Sequence, residues 1–111
     1  MPEQPTLRMI KDIAAGDMEF EKKLLAIIRK ELPLEIALYN ENCLEKDYLK
    51  VAGNVHKLNH KINIFGLKKG YETAVLFENA LRKGNCELKF EFDEILVTMT
   101  DFLNSIEAPE E

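Results

Sequence analysis

The chain has 111 residues, 46% of them hydrophobic and 32% charged. That length and balance fit one folded domain over residues 1–111 and exclude a wholly disordered chain. The formal net charge of −5 argues against nucleic acid as a partner, because duplex binding rests on neutralising phosphates with Lys and Arg.

No apolar run approaches the ~18 residues of a membrane span, and Met1 to Leu7 holds no apolar core of a signal peptide. No membrane association is expected, and the location is expected to be cytoplasmic. The two cysteines, Cys43 and Cys86, form no CxxC pair. They are read as free thiols, buried or half-buried.

The punctuation divides the chain into helices. A short first helix is predicted from Thr6 to Ala14, with Leu7, Ile10 and Ile13 on one edge and Gly16 ending it. Asp17 then reads as the N-cap of a long second helix, with Glu19 and Glu21 in its positive first turn. One apolar stripe of that helix is Leu25, Ile28, Leu32, Ile36, Tyr39 and Cys43. A second stripe, Phe20, Leu24 and Ile27, predicts contact with neighbours on two sides. Pro33 lacks a backbone donor and predicts a kink or break.

Asp47 is the predicted cap of a third helix reaching Phe65. Its stripe, Tyr48, Val51, Val55, Leu58, Ile62 and Phe65, alternates three and four without a miss, and Gly66 follows as a stop. A fourth helix is predicted from Leu67 to Lys83, with Ala74, Phe77 and Leu81 as core positions and Gly84 after it. Gly70 falls where its stripe expects a large apolar residue. Either two helices approach closely there or the helix begins after it. The fifth helix is predicted from Lys89 to Glu107 on Phe92, Ile95, Leu96, Met99, Phe102, Leu103 and Ile106, with Ala108 to Glu111 frayed. The Leu88, Phe90, Phe92 alternation is too short for a sheet. Short connections make the expected fold all-α: an up-down antiparallel four-helix bundle with a short extra N-terminal helix.

The two histidines, His56 and His60, lie four apart on helix three and so share a face. His56 is about 100° round from the core residue Val55, which sends it toward the flank or the solvent. One turn back stand two small residues, Ala52 and Gly53. A glycine inside so periodic a helix costs about 1 kcal/mol relative to Ala, and the low surface it leaves suits a docked partner reaching the imidazole. Lys57, Asn59, Lys61 and Asn63 surround the histidines, with Lys68 and Lys69 beyond the turn. These form a local positive cluster able to support added phosphate charge. The histidine pair also has the spacing of a metal pair. Such zinc sites want a third ligand and often a Glu at the next position, whereas position 57 is Lys, so no metal site is expected.

The stretch from Val55 to Leu67 resembles the signature of histidine-containing phosphotransfer (HPt) domains, roughly Ala-His-x-Leu-Lys-Gly, then a few residues, then an apolar residue, Gly and a small or apolar residue. His56, Leu58, Phe65, Gly66 and Leu67 fall in register. The Glu31-Leu32-Pro33 run and the Glu78, Ala80, Arg82, Gly84 ending of helix four are also similar to the family, so the resemblance spans roughly Leu7 to Ile106.

The resemblance implies a phosphorelay carrier in two-component signalling, not an enzyme with turnover of its own. His56 would accept and donate a phosphoryl group. Lys57, Asn59, His60 and Lys61 would support the phosphate, and Ala52, Gly53 and Asn63 would help to dock the partner. Partners would be a response-regulator receiver domain, a hybrid histidine kinase or both. The chain would carry no cofactor; magnesium would sit on the receiver. A monomer is expected, and the clean start and acidic end favour a stand-alone protein over a piece of a hybrid kinase.

Two positions depart from the family pattern. Asn59 stands where Lys is usual and His60 where Gly is usual. They motivate two alternatives. One is a degenerate HPt-like module that docks a receiver without phosphotransfer. The other is an unrelated helical adaptor that binds a partner through its long second helix.

Overall fold

The computed structural model describes residues 3–106. Among them are five α-helices and no strand: α1 (Arg8–Ala14), α2 (Met18–Leu44), α3 (Tyr48–Ile64), α4 (Lys68–Arg82) and α5 (Lys89–Ser105). No helix among these residues is long and apolar enough to cross a membrane.

The boundaries follow from local chemistry. Asp17 and Asp47 adopt extended or near-extended backbone, and their carboxylates accept from the N–H of Phe20 (3.1 Å) and Lys50 (3.2 Å). Each thereby satisfies a donor that the first turn of a helix leaves free. Gly66 and Gly84 terminate α3 and α4 at φ of +75° and +82°, a region an L side chain rarely enters. The start of α4 has a cap that its own flanking sequence does not reveal. The carboxylate of Glu3 accepts from the N–H of Lys69 (3.1 Å) and Gly70 (2.8 Å).

The predicted stripes of α3, α4 and α5 face one core. Val51, Val55, Leu58, Ile62 and Phe65 are fully or almost fully enclosed, as are Ala74, Phe77, Leu81, Phe92 and Met99. The α3 helix packs against both α2 and α4, and α5 packs against α4 and α2. Gly70 lies inside α4 and is buried. A Cβ there would come within 3.2 Å of Ile62 Cγ2, 3.3 Å of Leu67 Cβ and 3.4 Å of Ile95 Cγ2. The glycine therefore serves close helix approach and does not mark a later helix start.

Several expectations are corrected. Of the kink or break expected at Pro33, the break does not occur: α2 runs unbroken from Met18 to Leu44. The proline removes one ladder hydrogen bond, but Ile28, Leu32 and Tyr39 on either side are buried and hold the flanking turns. The second stripe of α2 is packed only in part: Leu24 is half-buried against the core, whereas Phe20 and Ile27 are 43% and 50% exposed. Both cysteines are free, but Cys86 is exposed and only Cys43 is half-buried. The predicted last residue of helix five, Glu107, and the tail Ala108 to Glu111 lie outside the described residues.

Candidate functional site

The α3 helix brings His56 and His60 to its surface. The His56 side chain is 62% exposed, and His60 is exposed one turn further on. Their rings meet edge-on, with centroids 5.3 Å apart and planes at 69°. Gly53 is exposed one turn before His56, and a Cβ there would touch nothing within 4 Å. The surface beside the imidazole is therefore low and open.

Glu78 of α4 completes the site. Its Oε1 lies 3.0 Å from His56 Nδ1, and its Oε2 accepts from Arg82 at 2.8 Å. Burial raises the Glu78 carboxyl, and the hydrogen bonds from Arg82 and His56 outweigh it, leaving the group below its usual range. An ionised carboxylate only accepts. The Nδ1 of His56 therefore carries the proton, and in the neutral ring the lone pair sits on Nε2. The sequence places Glu78 in the family-like end of helix four, with no local signal that ties it to the histidine. The pairing joins residues 22 apart in sequence.

The other predicted site residues divide. Lys57, His60, Gly53 and Asn63 are exposed around His56, as are Lys68 and Lys69 beyond the turn. Lys61 is not part of the exposed cluster. It is 8% exposed, and its Nζ bridges Glu31 and Glu35 of α2, each at 3.0 Å. Burial lowers its pKa, but the hydrogen bonds it donates to Glu35 and Glu31 prevail and hold it above the ordinary lysine value. Asn59 is 6% exposed, with Oδ1 enclosed and unpartnered. It is less open to a phosphate than its place in the motif suggested. Ala52 is fully buried and offers a partner no surface, because α3 is covered on both flanks and its buried arc is wider than the apolar stripe.

Beside the histidines, Lys57 and His60 line a groove with Glu31, Leu34 and Glu35 of α2. Leu34 and Leu38 of the same helix are 66% and 51% exposed. The site thus has an exposed nucleophilic ring, a carboxylate behind it, the exposed Lys57 and a partly apolar approach. Comparison with protein-family models, curated proteins and solved structures gave no match.

Proposed function

We propose that the chain is an HPt-type phosphorelay carrier: a cytoplasmic, monomeric up-down four-helix bundle with a short extra N-terminal helix. It accepts a phosphoryl group on His56 from a receiver-domain aspartyl phosphate and returns it to another receiver. The observation that carries this reading is the exposed His56 ring with Nδ1 held by Glu78.

In the proposed step the Nε2 lone pair attacks phosphorus. The N–P bond forms as the P–O bond to the aspartyl group breaks, and the aspartate leaves as a carboxylate. The ring keeps its Nδ1 proton and becomes cationic, and the Glu78 carboxylate is placed to offset that charge as it develops. The receiver supplies magnesium and most of the positioning. Lys57 and His60 stand nearest for the phosphoryl oxygens, and Gly53, Asn63, Leu34 and Leu38 form the docking surface.

The test is to mix the protein with a phosphorylated receiver. Label should move to wild type in an acid-labile, base-stable form and should not move to His56→Gln. Equal labelling of the two proteins, or none of wild type, would end the proposal.

A second reading, docking without phosphotransfer, is favoured by one pair of observations: Asn59 is buried and Lys61 is held by α2, which leaves few cationic donors for a phosphate. It requires receiver binding that survives His56→Gln, with no label on either protein. An unrelated adaptor would show no receiver affinity at all.

A further inference from the structure

We propose that His56 and His60 together chelate one divalent transition-metal ion of borderline softness, such as Zn²⁺ or Ni²⁺, and that the bound ion masks His56 as a nucleophile. Binding is independent of the phosphorelay reading; the masking rests on it.

Three observations carry the site. The first is the distance between the rings. With metal–nitrogen bonds of about 2.05 Å and a tetrahedral angle, two imidazole ring centres lie about 5.2 Å apart. The observed separation is 5.3 Å. The His56 ring is held at Nδ1 by Glu78, so the exposed His60 ring is the one that turns to bring its Nε2 to the same ion.

The second is the carboxylate behind the first ligand. Metal-bound histidines typically donate their other ring N–H to a carboxylate or carbonyl, which fixes the tautomer and raises ligand basicity. Glu78 already does this at His56 Nδ1, at 3.0 Å, leaving Nε2 for the metal.

The third is the local charge. Two of the three nearby cations are occupied: Lys61 by Glu31 and Glu35, and Arg82 by Glu78. Among the described residues Lys57, beside the pair, forms no ion pair. With two protein ligands, water would fill the remaining positions, so the site would be open and of moderate affinity. Lys57 does not supply a general base, and no hydrolytic role is implied.

Calorimetric titration of the full chain with ZnCl₂, and separately with NiCl₂, tests the site in a Cys86→Ser background that removes the exposed thiol. One ion per chain should bind. His56→Ala and His60→Ala should each weaken binding at least tenfold, and Glu78→Gln by about tenfold. Substoichiometric Ni²⁺ should broaden the ring proton signals of both histidines together. Binding that is unchanged in His60→Ala, or broadening of one histidine alone, would overturn the chelate. For the masking, saturating zinc should slow label transfer to His56 more than tenfold, with the slowing absent in His60→Ala. Equal slowing in that variant would overturn masking at this site. A chain that binds zinc but takes no label even when metal-free would refute the phosphorelay reading and leave the chelate standing.

Discussion

Glu78 Oε1 on α4 stands 3.0 Å from His56 Nδ1 on α3, so a carboxylate held by Arg82 sets the tautomer of an exposed imidazole on the neighbouring helix. Replacing Glu78 by Gln keeps the side-chain size but removes the charge that would offset a cationic ring. In a phosphotransfer assay the first-order rate should fall about tenfold, equivalent to about 1.4 kcal/mol in the barrier. Receiver affinity should stay within about twofold, because Glu78 is mostly buried behind the ring. Affinity and rate falling together would mean that Glu78 acts in docking.

Gly53 and Gly70 are both glycines within helices, and they should respond in opposite directions. At Gly53 an added Cβ meets nothing within 4 Å. Gly53→Ala should therefore raise unfolding free energy by about 0.5–1 kcal/mol through helix propensity. A larger residue, Gly53→Leu, should keep that stability but weaken receiver binding by crowding the surface beside His56. At Gly70 the same Cβ would crowd Ile62, Leu67 and Ile95 at 3.2–3.4 Å, so Gly70→Ala should destabilise by about 1–2 kcal/mol. Chemical denaturation of the two variants checks the contrast.

Much of this architecture is legible from local signals. The Asp17 and Asp47 caps, the Gly66 and Gly84 stops and the α3 stripe all depend on residues within a turn or two of one another. The spacing also puts His56 on the flank of α3. It says nothing of which residue on another helix meets that flank. Glu78 and the Lys61 partners lie 22 to 30 residues away in sequence, and only packing brings them near. The misplacement of Ala52 and Asn59 has a related cause. Periodicity gives the centre of a buried face but not its width, and α3 is flanked by both α2 and α4. The same limit explains Phe20 and Ile27, apolar residues at helical spacing that stay exposed while Leu24 between them reaches the core.

Lys61 is a structural residue in this arrangement, and its replacement should be felt in stability. Lys61→Met leaves Glu31 and Glu35, one turn apart on α2, facing each other without the ammonium that joins them. The half-enclosed Glu35 would bear most of the cost, since one of its oxygens is already buried without a partner. Unfolding free energy should drop by about 1–2 kcal/mol, whereas Lys57→Met at an exposed position should change it by less than about 0.5 kcal/mol. Adding Glu35→Gln to Lys61→Met should restore part of the loss. Full additivity of the two substitutions in a double-mutant cycle would show that the pair is not coupled.

The buried Tyr39 and the bridged Lys61 contribute to the alkaline limit of the fold, as do Cys43, Tyr48 and Lys89, whose pKa values are also raised. Burial of Tyr39, then its hydrogen bond to Asp93 at 2.7 Å, pushes the phenol far above its ordinary value of 10.0. Lys61 is likewise raised above 10.5, its bonds to Glu35 and Glu31 outweighing burial. Both groups hold their protons more tightly when folded than when unfolded. Their contribution is complete below the unfolded values and is lost as pH rises through the folded ones. Stability measured by urea denaturation should therefore be level in this respect up to about pH 9.5 and should decline steeply above about pH 10. Tyr39→Phe removes the ionisable group while keeping the ring that packs edge-on against Phe92. It should cost about 1 kcal/mol at pH 7 and make the decline above pH 10 shallower than in wild type. An unchanged alkaline slope in Tyr39→Phe would assign the decline to other groups and remove Tyr39 from this account.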